Sequence, residues 1–232
     1  MLVLLFRMGG RWVHRLTMHP GFFVLLSIGA MASFFFSLTL LHSSLVWTGI
    51  CGSVVAVGLL FENVVLASGT SLHRAGKLLP LSRARYQLHA VGAPLLLPMS
   101  LQISRDGGLE IPLHLNLLFY GLTVLWILFG LVRATGERLN LVLCHQGRLL
   151  RHTDGGVTGF AAFHLLLVAL VIAIFVLGVC TPITSVGLPM AIGALLMFLG
   201  AAAAPSSGLA VSNFSELIFL VLLLFAAPQA SY

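Results

Sequence analysis

Glu62, His89, His164 and Glu216 are the carboxylates and imidazoles of this chain that stand inside apolar runs, His114 lying at the very start of one. Two carboxylates and two imidazoles are a set that can pass protons, hold a cation or ligate a metal. Asn63 and Asn213 lie beside the two carboxylates in "LLFENVVLASG" and "VSNFSELIFL". The chain has only six acidic residues, and Glu62 and Glu216 are the two placed in hydrophobic surroundings. On insertion scales a charge in hydrocarbon costs at least ~2.5–3.5 kcal/mol, so such groups are expected to face a bundle interior or a wet cavity.

The elements that must position them follow from composition. Of 232 residues, 59% are hydrophobic and 8% charged, against about 25% charged in an ordinary soluble domain. Mean hydropathy is +1.08. Apolar runs at about 21–41, 45–67, 88–104, 114–133, 159–180, 183–204 and 209–228 are each compatible with a transmembrane helix. The expected fold is therefore an all-α polytopic membrane protein of seven transmembrane helices, one domain over 19–232. The first run is too long for a signal-peptide core and reads as a retained span. The third is the weakest: it is short, and Pro94 and Pro98 predict a kinked or partly unwound helix. The polar loops near 69–87 and 134–157 are too short to fold alone.

Orientation follows from the cations. Arg7, Arg11 and Arg15 precede the first run; Arg74, Lys77, Arg83 and Arg85 precede the third; Arg133, Arg138, Arg148 and Arg151 precede the fifth. With seven crossings all of these share one side, and only Arg105 is opposite. The positive-inside rule then predicts a cytoplasmic N-terminus and an outside C-terminus, in a plasma or inner membrane. Treating 88–104 as a re-entrant loop would move four of these arginines outside, so seven crossings is the better count. Residues 1–18 read as an interfacial amphipathic segment, with Arg7, Arg11, His14 and Arg15 on one face and Leu5, Met8, Trp12 and Leu16 on the other.

With directions assigned and a rise of about 1.5 Å per residue, Glu62, Asn63, His89, His164, Asn213 and Glu216 all fall in the cytoplasmic half of the membrane. Glu62, Glu216 and His164 are the candidates for proton, ion or acid–base chemistry. Asn63, Asn213, Arg83 and Arg85 are the candidates for substrate contact, the two arginines forming a cationic rim. Each has a plainer reading as well: Glu62 paired with Arg83 or Arg85, and the two asparagines as interhelical hydrogen bonds. A metal would be held by His89, His164, Glu62 and Glu216. Alternatively His89 and His164 could sandwich a b-type haem. Neither cofactor is marked by a motif, for no HExxH, ExxH or HxxxH occurs within a run.

The pI of 10.1 reflects flanking cations rather than a nucleic-acid-binding module. The expected partners are the bilayer and anionic inner-leaflet lipids, with homo- or hetero-oligomeric assembly left open. Cys51, Cys144 and Cys180 show no ligand spacing and read as free thiols. The favoured function is a small transport or ion/proton-coupled protein. A membrane-embedded enzyme, metal-dependent or lipid-directed at the inner leaflet, is the alternative. A non-catalytic assembly or scaffold subunit and a b-type haem protein come third.

Overall fold

The computed structural model describes residues 19–42, 45–135, 139–146, 148–155, 160–207 and 209–230; side chains at 146, 160–167 and 204–207 lie outside this description. The expected amphipathic segment at 1–18 is also outside it. Among the described residues the chain is mostly helical, in the order α1 Pro20–Leu40, α2 Val46–Ala67, α3 Gly69–Arg74, α4 Leu78–Asp106, α5 Leu113–Thr135, β1 Leu141–Gln146, β2 Leu149–Asp154, α6 Phe160–Cys180, α7 Thr184–Ser207 and α8 Leu209–Gln229. Five helices (α1, α2, α5, α8 and the Thr184–Ala203 part of α7) are long and apolar enough to cross a bilayer, and α6 contributes a shorter apolar stretch, Val168–Cys180. The chain is a multi-pass membrane protein. Its outward apolar side chains, such as Leu25, Leu117, Val124, Leu125 and Phe225, are what a lipid-facing surface requires.

Local chemistry sets the helix boundaries. Pro20 occupies the first turn of α1, where its missing N–H costs nothing, and the His19 imidazole accepts the Gly21 N–H at 3.1 Å. The large departure from expectation is α4. It begins at Leu78, ten residues before the expected third span, and remains helical through Pro94 and Pro98. The unwinding expected at the prolines is absent because α4 is enclosed. It packs against α2, α5, α6, α7 and α8, and between Gly92 and Ser104 only Leu95 and Gln102 are not buried. Neighbouring helices hold a continuous path where an isolated helix would break. Its polarity has the same origin, since a helix surrounded by protein need not be apolar on every face.

The region 134–157 also differs from a plain loop. β1 and β2 form an antiparallel hairpin with Leu141 opposite Asp154 and Gln146 opposite Leu149. A lone two-stranded hairpin is marginal in water, and this one is docked on the end of the bundle. Leu149 joins the main core, while Leu150 packs with Val65 and Leu78. Arg133 pairs with Asp154, the Asp154 N–H donates to the Tyr86 hydroxyl at 3.2 Å, and Arg85 Nη2 donates to the His152 carbonyl at 3.1 Å. Arg148 Nη1 lies 3.3 Å from His19 Nε2, so the hairpin also reaches the start of α1.

Gly69 makes the seat possible. A Cβ there would fall inside the van der Waals radius of the Leu150 carbonyl oxygen. Gly69→Val is expected to unseat β2 and to cost about 1–3 kcal/mol of stability, the usual range for overpacking. The check is a lower unfolding midpoint together with faster trypsin cleavage at Arg148 and Arg151. The hairpin should also loosen in acid. Burial first, then the positive charges of His73 and Arg85, hold the His152 imidazole below its ordinary value of 6.5. The unfolded chain therefore binds this proton more readily, so the stability is present above pH 6.5 and is lost as pH falls below it. Proteolysis of the hairpin at pH 5.5 should exceed that at pH 7.5, and His152→Gln should flatten the difference.

Candidate functional site

Three helices meet at the polar end of the bundle: the last turns of α2, the middle of α4 and the first turns of α8. Along α2, Glu62 and Asn63 follow an apolar run and turn inward; Glu62 is 9% exposed and Asn63 is fully buried. His89 lies four residues after Arg85 on α4, about 6 Å further along the axis. Asn213 and Glu216 stand in the first two turns of α8, with Asn213 buried. A membrane-depth site forms here because a carboxylate turned toward lipid has nothing to offset its desolvation.

The geometry is a clamp of asparagines beside a cluster of ionisable groups. Asn63 Nδ2 donates to the Leu59 carbonyl at 2.8 Å, and Asn213 Nδ2 donates to Asn63 Oδ1 at 3.1 Å. This chain of amides ties α8 to α2. His89 Nδ1 stands 3.6 Å from Glu62 Oε2, an ion-pair separation longer than a hydrogen bond. Glu216 is close enough to interact electrostatically with both His89 and Glu62. His89 and Glu216 line a small cleft of ≈ 20 Å³ with Val55, Leu88, Leu96 and Met197. Its apolar walls and scale admit water-sized occupants at most.

The sequence-derived set is thus brought together in part. Glu62, Asn63, His89, Asn213 and Glu216 converge. Glu62 pairs with His89, not with Arg83 or Arg85. Arg83 is exposed and stands apart from the cluster. Arg85 is buried, 4% exposed, and is turned to the hairpin, although its charge is felt at Glu62. The His164 side chain lies outside the described residues, so its expected roles as acid–base group, metal ligand or haem ligand have no geometry to report. Among the described residues, no group of three or more His, Cys, Asp or Glu is placed to hold a metal ion. Cys51, Cys144 and Cys180 are free thiols.

Sequence reasoning missed the hairpin and its residues Arg151 and His152 as neighbours of this site. The available signal was two six-residue stretches, "LVLCHQ" and "LLRHTD", separated by Gly147 and Arg148, a spacing suited to a two-residue turn. Compared with protein-family models, curated proteins and solved structures, the chain matches none.

The amide chain gives a direct test of packing. Asn213→Ala removes the donor to Asn63 and is expected to lower stability by about 1 kcal/mol, the common worth of an interhelical hydrogen bond in a membrane. Asn63→Ala combined with Asn213→Ala should cost less than the sum of the two single changes, because each deletes the same bond. Unfolding midpoints in detergent for the four species measure this coupling.

Proposed function

We propose that this chain is a small ion- or proton-coupled carrier whose exchange site is the Glu62–His89–Glu216 cluster. The observation that carries the reading is the position of His89. It lies 3.6 Å from Glu62 and shares a water-sized cleft with Glu216. With Arg85 nearby, two carboxylates are balanced by an imidazolium and a guanidinium. A proton passed between His89 and Glu216 leaves that balance unchanged, so transfer within the set requires no net charge to be created in a low-dielectric interior. A purely structural ion pair needs Glu62 and His89 alone; the second carboxylate on the cleft is what favours exchange.

The membrane frame of this reading has seven crossings, with α4 and α6 added to the five apolar helices. The N-terminus is cytoplasmic and the C-terminus outside. Eleven of the twelve Lys and Arg residues then lie on the cytoplasmic side, where anionic inner-leaflet lipids attract them. The exchange site sits in that half of the bilayer, under the hairpin.

The test is reconstitution of the full chain in vesicles containing a pH-reporting dye, with a potassium gradient and valinomycin to impose a potential. The wild type is expected to change internal pH. Glu216→Gln should abolish the change while leaving the unfolding midpoint near that of the wild type, whereas Asn213→Ala should lower the midpoint and retain flux. No dye response from folded wild type, or full flux from Glu216→Gln, would reject a proton-exchange role for this cluster.

A further inference from the structure

Among the described residues lining the cleft between α2, α4, α7 and α8, only His89 and Glu216 carry polar side chains. Its ≈ 20 Å³ is room for one water molecule, which needs about 10–15 Å³. The remaining walls are apolar, among them Leu88 and Leu96 of α4 and Met197 of α7. Such a lining discriminates between cargoes. An alkali-metal ion gives up its hydration shell only where protein oxygens replace it, and this cleft offers one carboxylate and one imidazole. A hydrated ion is larger than the cleft. A proton needs only one water with an acid or base at each end.

Two glycines keep this space open. Gly58 of α2 and Gly92 of α4 both line the cleft, and both lie in helix interiors, where glycine is less stable than alanine. Close packing does not require them. A Cβ at Gly58 would rest 3.8 Å from the Leu88 carbonyl oxygen, and one at Gly92 would rest 3.8 Å from the Val55 Cα, both ordinary contacts. Gly130 and Gly178 differ, since a Cβ at either would come under 3.0 Å from the facing helix. Alanine therefore fits the α2–α4 contact at both cleft positions, and its methyl groups would take the room of the water.

We propose that the cargo of the exchange site is a proton, relayed between Glu216 and His89 by a single water for which Gly58 and Gly92 leave room. This rests on the exchange reading of Glu62, His89 and Glu216 and narrows its substrate to the proton, with sodium and potassium excluded. In one direction the protonated Glu216 carboxyl gives its proton to the water oxygen while the water gives one of its own to the His89 imidazole. The products are a carboxylate, a water and an imidazolium, and the reverse step restores the start. No charge remains on the water.

The full chain is reconstituted in vesicles holding a pH-reporting dye, and a pH gradient is imposed in choline thiocyanate, the permeant anion balancing charge. The same gradient is imposed in sodium and in potassium thiocyanate. The gradient is expected to collapse at one rate in all three. Gly58→Ala combined with Gly92→Ala should slow the collapse to the rate of Glu216→Gln while the unfolding midpoint stays at or above that of the wild type. Gly121→Ala, on an exposed face of α5 where a Cβ meets nothing within 4 Å, should keep the wild-type rate. A collapse that requires sodium or potassium, a wild-type rate in the double variant, or an equal loss in Gly121→Ala overturns the water relay and leaves the exchange reading standing. A wild-type rate no faster than that of Glu216→Gln overturns both. If the double variant does not fold, Gly58→Ala alone is read in its place, and an undiminished rate overturns the relay.

Discussion

An ionisable side chain at membrane depth has no water to solvate it, and that single constraint organises the polar end of this bundle. Glu62 must be answered by protein, and the answer comes from another helix: His89 on α4, while Asn63 beside it is bonded by Asn213 on α8. The same residues that satisfy the carboxylate therefore decide which helices are neighbours. Dispersion packing alone would let apolar helices slide or rotate with little penalty, since lipid is as apolar as leucine. A buried carboxylate with a specified partner removes that freedom, because misplacing α4 or α8 leaves a charge unmatched.

α4 is the element through which this constraint spreads. It touches five other long helices and the hairpin, and it carries exposed Arg83, hairpin-bound Arg85 and Tyr86, cleft-lining His89 and two buried prolines in a single unbroken helix. The hairpin in turn depends on α4. Its strands are pinned through Arg85, Tyr86 and Leu78, and by Arg133 from the end of α5. A two-stranded ribbon with so little core of its own is ordered by what it lies on. The hairpin contacts and His89 are carried by one helix, with one turn separating Arg85 from His89.

How much of this was legible follows from the range over which each signal acts. Six of the seven apolar runs predict their helices to within a few residues, because hydropathy is a property of each segment by itself. The third run was placed but shortened, since residues 78–87 are too polar to look membrane-embedded and are helical because α2, α3 and β2 pack on them. Pro94 and Pro98 pointed to unwinding, a sound inference for a helix in isolation that fails where neighbours enclose it. That Glu62, His89, Asn213 and Glu216 could meet was readable from the helix directions and the rise per residue. The pairing was not: Arg83 and Arg85 are near Glu62 in depth as well, and nothing in the one-dimensional pattern says which of three cations faces it.

Composition and periodicity by themselves determined that this is a helical membrane protein with two carboxylates inside its apolar runs. Those are consequences of transfer free energies summed along the chain, and they need no knowledge of neighbours. Tertiary structure alone decided that Glu62 faces His89 and not an arginine, that His89 and Glu216 line one cleft, and that a hairpin carbonyl takes up Arg85. Each of these depends on the rotation of a helix about its own axis and on the order of helices around α4. Local sequence is nearly indifferent to both, and they are set only when buried polar groups find one another.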